Sequence, residues 1–175
     1  MRFEHKLLID YYAGGALHAL LKPWVVLLGR ILQRDHDLSQ CRDVTFLKLK
    51  GGGSLVIAYP ALLALRRSSR IRSLRLVTSP AVRPFAESLG VFDSITVIDD
   101  RSIRPLLRDS KAALRSLFRT GVIVDLEIHS RLTTVFSLLS CARNRIGFYT
   151  MDSFWRRELS THLLFCNVSR GIYHF

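Results

Sequence analysis

The chain has 175 residues, 49% of them apolar, and its 26 lysines and arginines against 14 acidic residues give a formal net charge of +12. That length holds one ordinary domain with a real core plus an appendage, and the widely spaced Cys41, Cys141 and Cys166 form neither a CxxC pair nor a cluster with His, which argues against a zinc site and a disulfide framework. Charge alone would suit a nucleic-acid binder, but no helix-turn-helix, RNP-like or zinc-finger pattern accompanies it, whereas basic and apolar character together fit a protein resting on an anionic membrane.

Residues 1–40 differ in texture from the remainder. Apolar runs such as Tyr11-Tyr12-Ala13-Gly14-Gly15-Ala16-Leu17 and Trp24-Val25-Val26-Leu27-Leu28-Gly29 are broken by His18 and by Lys22-Pro23. Each run falls short of the roughly 20 apolar residues a bilayer span takes. Arg30, Gln33 and Arg34 stand where a signal peptide would need small residues for cleavage. Pro23 is expected to kink or divide the segment. The pattern is that of one or two amphipathic helices lying in a membrane interface, with Trp24 and the tyrosines at headgroup level. The competing expectation is a helix packed on the domain's own core or on a partner subunit. Residues 35–43 then read as a polar linker.

The domain opens at residues 44–67. The β-branched and aromatic run from Val44 through Leu47 predicts a buried strand. Gly51, Gly52 and Gly53 follow, and Ser54 is a good N-cap for a helix with Leu55, Ala58, Leu62 and Leu65 on one face. Pro60 is tolerable there only near the helix start. Strand, glycine turn and helix open a nucleotide-fold α/β unit, where a ligand can approach the free amides of the helix N-terminus. The turn is neither GxGxxG nor a Walker loop, so a tight turn without a ligand stays open beside that expectation.

Arg66, Arg67, Arg70, Arg72 and Arg75 crowd the end of this helix, as a solvated end or a phosphate-facing surface. Strands are expected at residues 74–78 and 95–98, separated by a helix that carries Val82, Phe85, Ala86 and Leu89 and stops at Gly90. A helix over residues 102–119 draws a basic stripe through Arg101, Arg104, Arg108, Lys111, Arg115 and Arg119, with Ile103, Leu107, Leu114, Leu117 and Phe118 expected on its buried side. Residues 122–126 are the most strand-like run of all. Glu127, His129, Ser130 and Arg131 come next, then an apolar helix over 132–142 and a fifth strand at 145–149. The alternation predicts a parallel, three-layer α/β sheet. Ligands of such sheets sit at the carboxyl ends of strands where strand order reverses, so residues 51–54 and 127–131 are expected to share one crevice.

Four segments in this order, LKLKGGGSLVIAYPALLALR, LVTSP, VIVDLEIHSRLTTVFSLLSCARNRIGFY and the tail STHLLFCNVSRGIYHF, resemble the heptosyltransferase family of glycosyltransferases, the ADP-heptose:lipopolysaccharide transferases and their polysaccharide-cluster relatives. The strongest parts are the K-x-x-G-S-x-x-x-x-x-P-A-L turn from Lys50 to Leu62 and the R-I-G-F-Y strand. The resemblance implies a Rossmann-like parallel sheet forming the N-terminal, acceptor-side domain of a GT-B enzyme. By that resemblance the domain covers residues 44–150, residues 151–175 lead toward a C-terminal nucleotide-sugar domain, and the chain stops about where the linker to that domain would begin. The implied partners are a lipid-linked or polysaccharide acceptor, an anionic membrane surface on the cytoplasmic side, and a nucleotide-sugar donor such as ADP-heptose bound by the second domain. No metal and no nucleic acid are implied.

Many family members carry a catalytic aspartate after the last glycine of the first turn, where this sequence has Ser54, whose neutral hydroxyl cannot take a proton unaided. The resemblance is closer to a branch with D-L-E-x-x-S-R after the fourth strand, which makes Glu127 the first candidate base and His129 the second. The bland alternative has Glu127 and Arg131 pairing or capping the next helix. By the resemblance, Gly52, Gly53, Ser54, Arg131, Arg145, Arg156, Arg157 and His162 are expected to face the acceptor, and arginine forks suit phosphorylated sugars; plain surface charge stays open for Arg145, Arg156, Arg157 and His162. The expected activity is inverting sugar transfer to an envelope-polysaccharide precursor, with little turnover from this half alone. The rival is a non-catalytic, membrane-associated module of the same fold.

Overall fold

The computed structural model describes residues 3–165. Cys166 and the last part of the tail, through Phe175, lie outside the described residues. A long helix, α1 (Phe3–Leu32), precedes β1 (Asp43–Lys48), α2 (Gly53–Arg67), β2 (Ser73–Thr78), α3 (Arg83–Leu89), β3 (Ser94–Val97), α4 (Ile103–Ser116), β4 (Val122–Asp125), α5 (Arg131–Leu139), β5 (Asn144–Tyr149), a short 3-10 helix (Met151–Arg156) and β6 (His162–Phe165). All strand pairs are parallel, in the order β3-β2-β1-β4-β5-β6. This is a Rossmann-like, three-layer α/β sheet.

The central strands are apolar on both sides, as a sheet covered on both faces requires. Val44 and Phe46 of β1, with Leu74 and Leu76 of β2, pack under Leu55 and Leu62 of α2 and Ala86 of α3. The alternate residues Leu47, Val77 and Ile123 face Ala113 of α4, Leu117 just past its end, and Ala142. Order reverses between β1 and β4, which places the β1–α2 and β4–α5 connections side by side at the carboxyl edge.

The structure departs from the sequence expectation in five places. Pro23 does not divide the N-terminal segment, because α1 runs through it as one helix. As a continuous helix, the stretch Glu4–Leu32 is long and apolar enough to cross a membrane by length and composition, which the separate apolar runs are not. The N-cap of α2 is Gly52, not Ser54. Ile103, Leu107 and Phe118 of the α4 region are exposed, and only Leu117 of the expected apolar set is buried. Residues 151–165 are no mere tail, since their backbone adds β6 to the sheet beside β5.

Helix α1 lies across the carboxyl edge and against α5. Lys6 pairs with Asp100, after β3, at 2.5 Å; Asp10 meets Ser130, after β4; and the His18 imidazole bonds the Trp155 carbonyl, after β5. The twelve-residue step from Lys6 to His18 rises about 18 Å, and the four strand spacings from β3 to β5 span about 19 Å. The helix therefore matches the width of the edge it covers. Close packing is possible because Gly14 has no side chain: a Cβ there would sit 2.7 Å from Arg131 Cβ. Gly14→Val should lower unfolding stability by about 1–3 kcal/mol through overpacking, whereas Gly29→Ala, with open space around its Cβ, should be neutral or stabilising by up to about 1 kcal/mol; urea denaturation of both variants checks the pair.

Candidate functional site

The β1–α2 turn is held from outside its own sequence. Gly51 takes the left-handed φ of +69°, and a Cβ on Gly52 would run into the Phe85 ring. Gly53 meets no such constraint. The α2 N-cap makes no side-chain hydrogen bond, and the Ser54 hydroxyl turns back to donate to the Gly51 carbonyl at 3.1 Å. The first-turn amides of α2 thus have no side-chain cap, and such amides favour an anion. Lys50 stands beside them, half-buried.

Glu127 fixes the other side of this turn. Its Oε1 accepts from the backbone amides of Leu49 at 2.8 Å and Lys50 at 2.7 Å, and Lys48 Nζ lies 3.5 Å away. The carboxylate is buried, as a charge with three donors around it can be. The clamp joins the β4–α5 connection to Leu49 and Lys50, the residues just before the 51–54 turn.

Beneath it lies a buried ion pair. Asp125, the last residue of β4, accepts through Oδ1 from the Glu127 amide at 3.0 Å and through Oδ2 from the Thr133 hydroxyl at 2.9 Å and from Arg156 Nη2 at 3.1 Å. Arg156 also donates to the carbonyls of Glu127, Ser130 and Phe148. Burial pushes the Asp125 carboxyl up to about 6, against the opposing charge of Arg156. Burial likewise lowers the Arg156 guanidinium from its usual range, while Asp125, Glu127 and Asp10 hold it up.

The N-terminus of α5 is closed by α1. Asp10 accepts from the Ser130 hydroxyl at 2.7 Å and from the amides of Leu132 at 3.0 Å and Arg131 at 3.1 Å, so a carboxylate fills the anion position at this helix start. Arg131 lies between the rings of Tyr11 and Trp155, at 4.5 and 5.6 Å. Above the strand ends here a cavity of only about 60 Å³ remains, bordered by Lys6, Asp10, Lys50 and Asp100. The two helix starts at the switch point therefore differ: α5 is occupied and α2 is open.

The residues expected from sequence to face an acceptor are not brought together. Arg156 is 0% exposed and serves the ion pair. Arg145 is drawn inward, donating to the Leu159 and Ala142 carbonyls, and burial lowers its guanidinium from the usual range. Arg131 is spent on α1 rather than on Glu127. His162 bonds the Thr161 hydroxyl beside β6, away from the turn. Arg157 is exposed. Gly53, Ser54 and His129 remain accessible at the carboxyl edge. Asp10 and Trp155 are absent from the sequence expectation. Asp10 sits 120 residues from its partner Ser130, and an acidic residue inside an apolar run is the one signal that could have singled it out.

No protein-family model matches the chain, and no curated protein matches it either. Among solved structures, the glycosyl transferase family 9 protein from Veillonella parvula DSM 2008 is similar, with a TM-score of 0.59 at 16% identity over 74% of this chain. The chain spans 37% of that protein's length. At this identity the likeness establishes a shared fold.

Two measurements probe the ion pair. The folded-state value for Asp125, about 6, exceeds the ordinary aspartate value of 3.8. The folded protein thus holds more protons between these limits, and this carboxyl contributes stability that is present at low pH and lost as pH rises through about 6. The unfolding free energy of the wild type minus that of Asp125→Asn should grow by up to about 3 kcal/mol as pH falls from neutrality to about 4. A flat difference would mean that Asp125 stays charged throughout. Arg156→Met should cost about 3–5 kcal/mol at pH 7, because it strands a buried carboxylate.

Proposed function

We propose that this chain is the acceptor-side domain of an inverting glycosyltransferase working on an anionic envelope-polysaccharide precursor at the cytoplasmic face of the membrane. The observation that carries the proposal is the fold shared with a glycosyl transferase family 9 protein, together with an uncapped α2 start at the strand-order switch point. A nucleotide-sugar such as ADP-heptose would be bound by a second domain across the cleft.

In this reading the open amides of α2 and Lys50 receive an anionic group of the acceptor. Glu127 is a positioning residue, because its Oε1 already holds two amides of the turn. His129, exposed at the same edge, is the group able to take the proton from the acceptor hydroxyl as that oxygen attacks the anomeric carbon and nucleoside diphosphate departs. Ser54, which donates to the Gly51 carbonyl, has no part in proton transfer. Helix α1, with Trp24, Leu28 and Ile31 exposed, and the basic face of α4 set the domain on an anionic bilayer.

The test is a chimera that joins this chain to the second domain of the Veillonella parvula protein, assayed for acceptor-dependent sugar transfer. His129→Ala should lower kcat by about 100-fold or more. Lys50→Glu should raise KM for a phosphorylated acceptor by about tenfold or more. Glu127→Gln keeps an accepting oxygen and should leave most of kcat; a loss as deep as that of His129→Ala would return the base to Glu127. A chimera that binds anionic liposomes but never turns over would favour the non-catalytic module.

A further inference from the structure

On the sheet face opposite α2, helices α4 and α5 leave a gap that no described residue closes. The gap is a groove of about 790 Å³, floored by Leu47 and Val77 and walled by Leu107 of α4, Phe136 of α5 and Leu17 of α1. Small-molecule sites fall in the range of about 300–1,000 Å³. Its lining is almost wholly apolar, and the Thr133 hydroxyl at its edge is spent on Asp125. Leu107, in the groove wall, is 64% exposed.

The groove has a charged side. Lys111 and Arg115 reach it from α4 and are exposed. Neither has an ion-pair partner among the described residues. They continue the stripe that runs through Arg104 and Arg108, the latter already paired with Asp109. The groove's other flank continues along α1 from Leu17 to the exposed Leu20 and Trp24.

We propose that this groove takes the acyl chain of an anionic membrane lipid, with the lipid phosphate on Lys111 and Arg115. A hydrocarbon chain needs no hydrogen bonds from such walls, whereas a polar group entering there would go unsatisfied. The unpaired cations at one rim select a negative headgroup. The open α1 surface beside the groove gives the chain a continuous apolar route from the bilayer. The inference deepens the membrane part of the proposed function and does not depend on the transfer chemistry, since no nucleotide-sugar is needed to observe it.

The experiment uses the full chain and short-chain lysophosphatidylglycerol below its micelle concentration, with binding followed by calorimetry. Each added chain methylene should tighten binding about fourfold. Zwitterionic lysophosphatidylcholine of equal length should bind about tenfold or more weakly, and glycerophosphate should not bind measurably. Leu107→Trp, which fills the groove from an exposed position, should abolish binding. The doubly substituted Lys111→Glu, Arg115→Glu protein should lose the preference for the anionic lipid; being confined to exposed side chains, it stands even where the tryptophan variant misfolds. Undiminished binding to Leu107→Trp, equal affinity for the two headgroups, or binding of glycerophosphate alone would each overturn the proposal. So would a dimer in sedimentation that excludes lipid and dissociates on Leu107→Trp, which would assign the groove to a second copy of the chain.

Discussion

Arg156 is the largest completely buried side chain among the described residues, and it carries a charge. A guanidinium in that position is stable only where a counter-charge and acceptors replace the lost water. Here the counter-charge is Asp125 at the end of β4, and the acceptors are carbonyls of Glu127, Ser130 and Phe148. One planar cation thereby binds the β4–α5 connection to the end of β5 and to its own 3-10 helix. Glu127 can leave the connection only in the direction these bonds allow, and its carboxylate then holds the amides of Leu49 and Lys50. The shape of the turn before α2 is thus set by an arginine on a different element. Trp155, with Arg156 Cζ 5.3 Å from its ring centre, extends the same assembly outward to Arg131 and α1.

The second determinant is the placement of α1. An acidic side chain inside an apolar helix would be costly unless matched by donors. Asp10 finds the Ser130 hydroxyl and two amides at the start of α5. The match serves both elements, because α5 gains a cap while α1 buries the Asp10 carboxylate. Gly14 lets the backbones approach one turn later. The remaining surface of α1 is left apolar and open, with Tyr12, Leu20 and Trp24 among its exposed side chains.

Strand and helix alternation from β1 through β5 was legible because each element carries its own period. Val44 and Phe46 against Leu47, and Val122 against Ile123, report two covered faces without reference to any other residue. The turn at Gly51 and Gly52 was legible for a similar reason, since glycines between a strand and a helix mean a local backbone demand. Residue roles in the site were less so. Arg156 reads in sequence as one more arginine in a strongly basic chain, and only its distance from Asp125 makes it internal. Ser54 fits an N-cap by type, yet the helix begins one residue before it. Asp10 stands out locally as an acidic residue among apolar ones, but nothing local marks Ser130, 120 residues away, as its partner. Long-range pairing of polar groups inside the protein is the part of this fold that periodicity does not encode.

The distance along the chain between α1 and its partner also bears on how the protein is made. Ribosomes add about 5–20 residues per second. With 120 residues separating Asp10 from Ser130, α1 spends roughly 6–24 s outside the ribosome before its cap on α5 exists. During that interval its apolar faces lack the cover that α5 later gives them. The order of synthesis thus makes the docking of this helix on the carboxyl edge a late step, completed only after β4 and the start of α5 have been made.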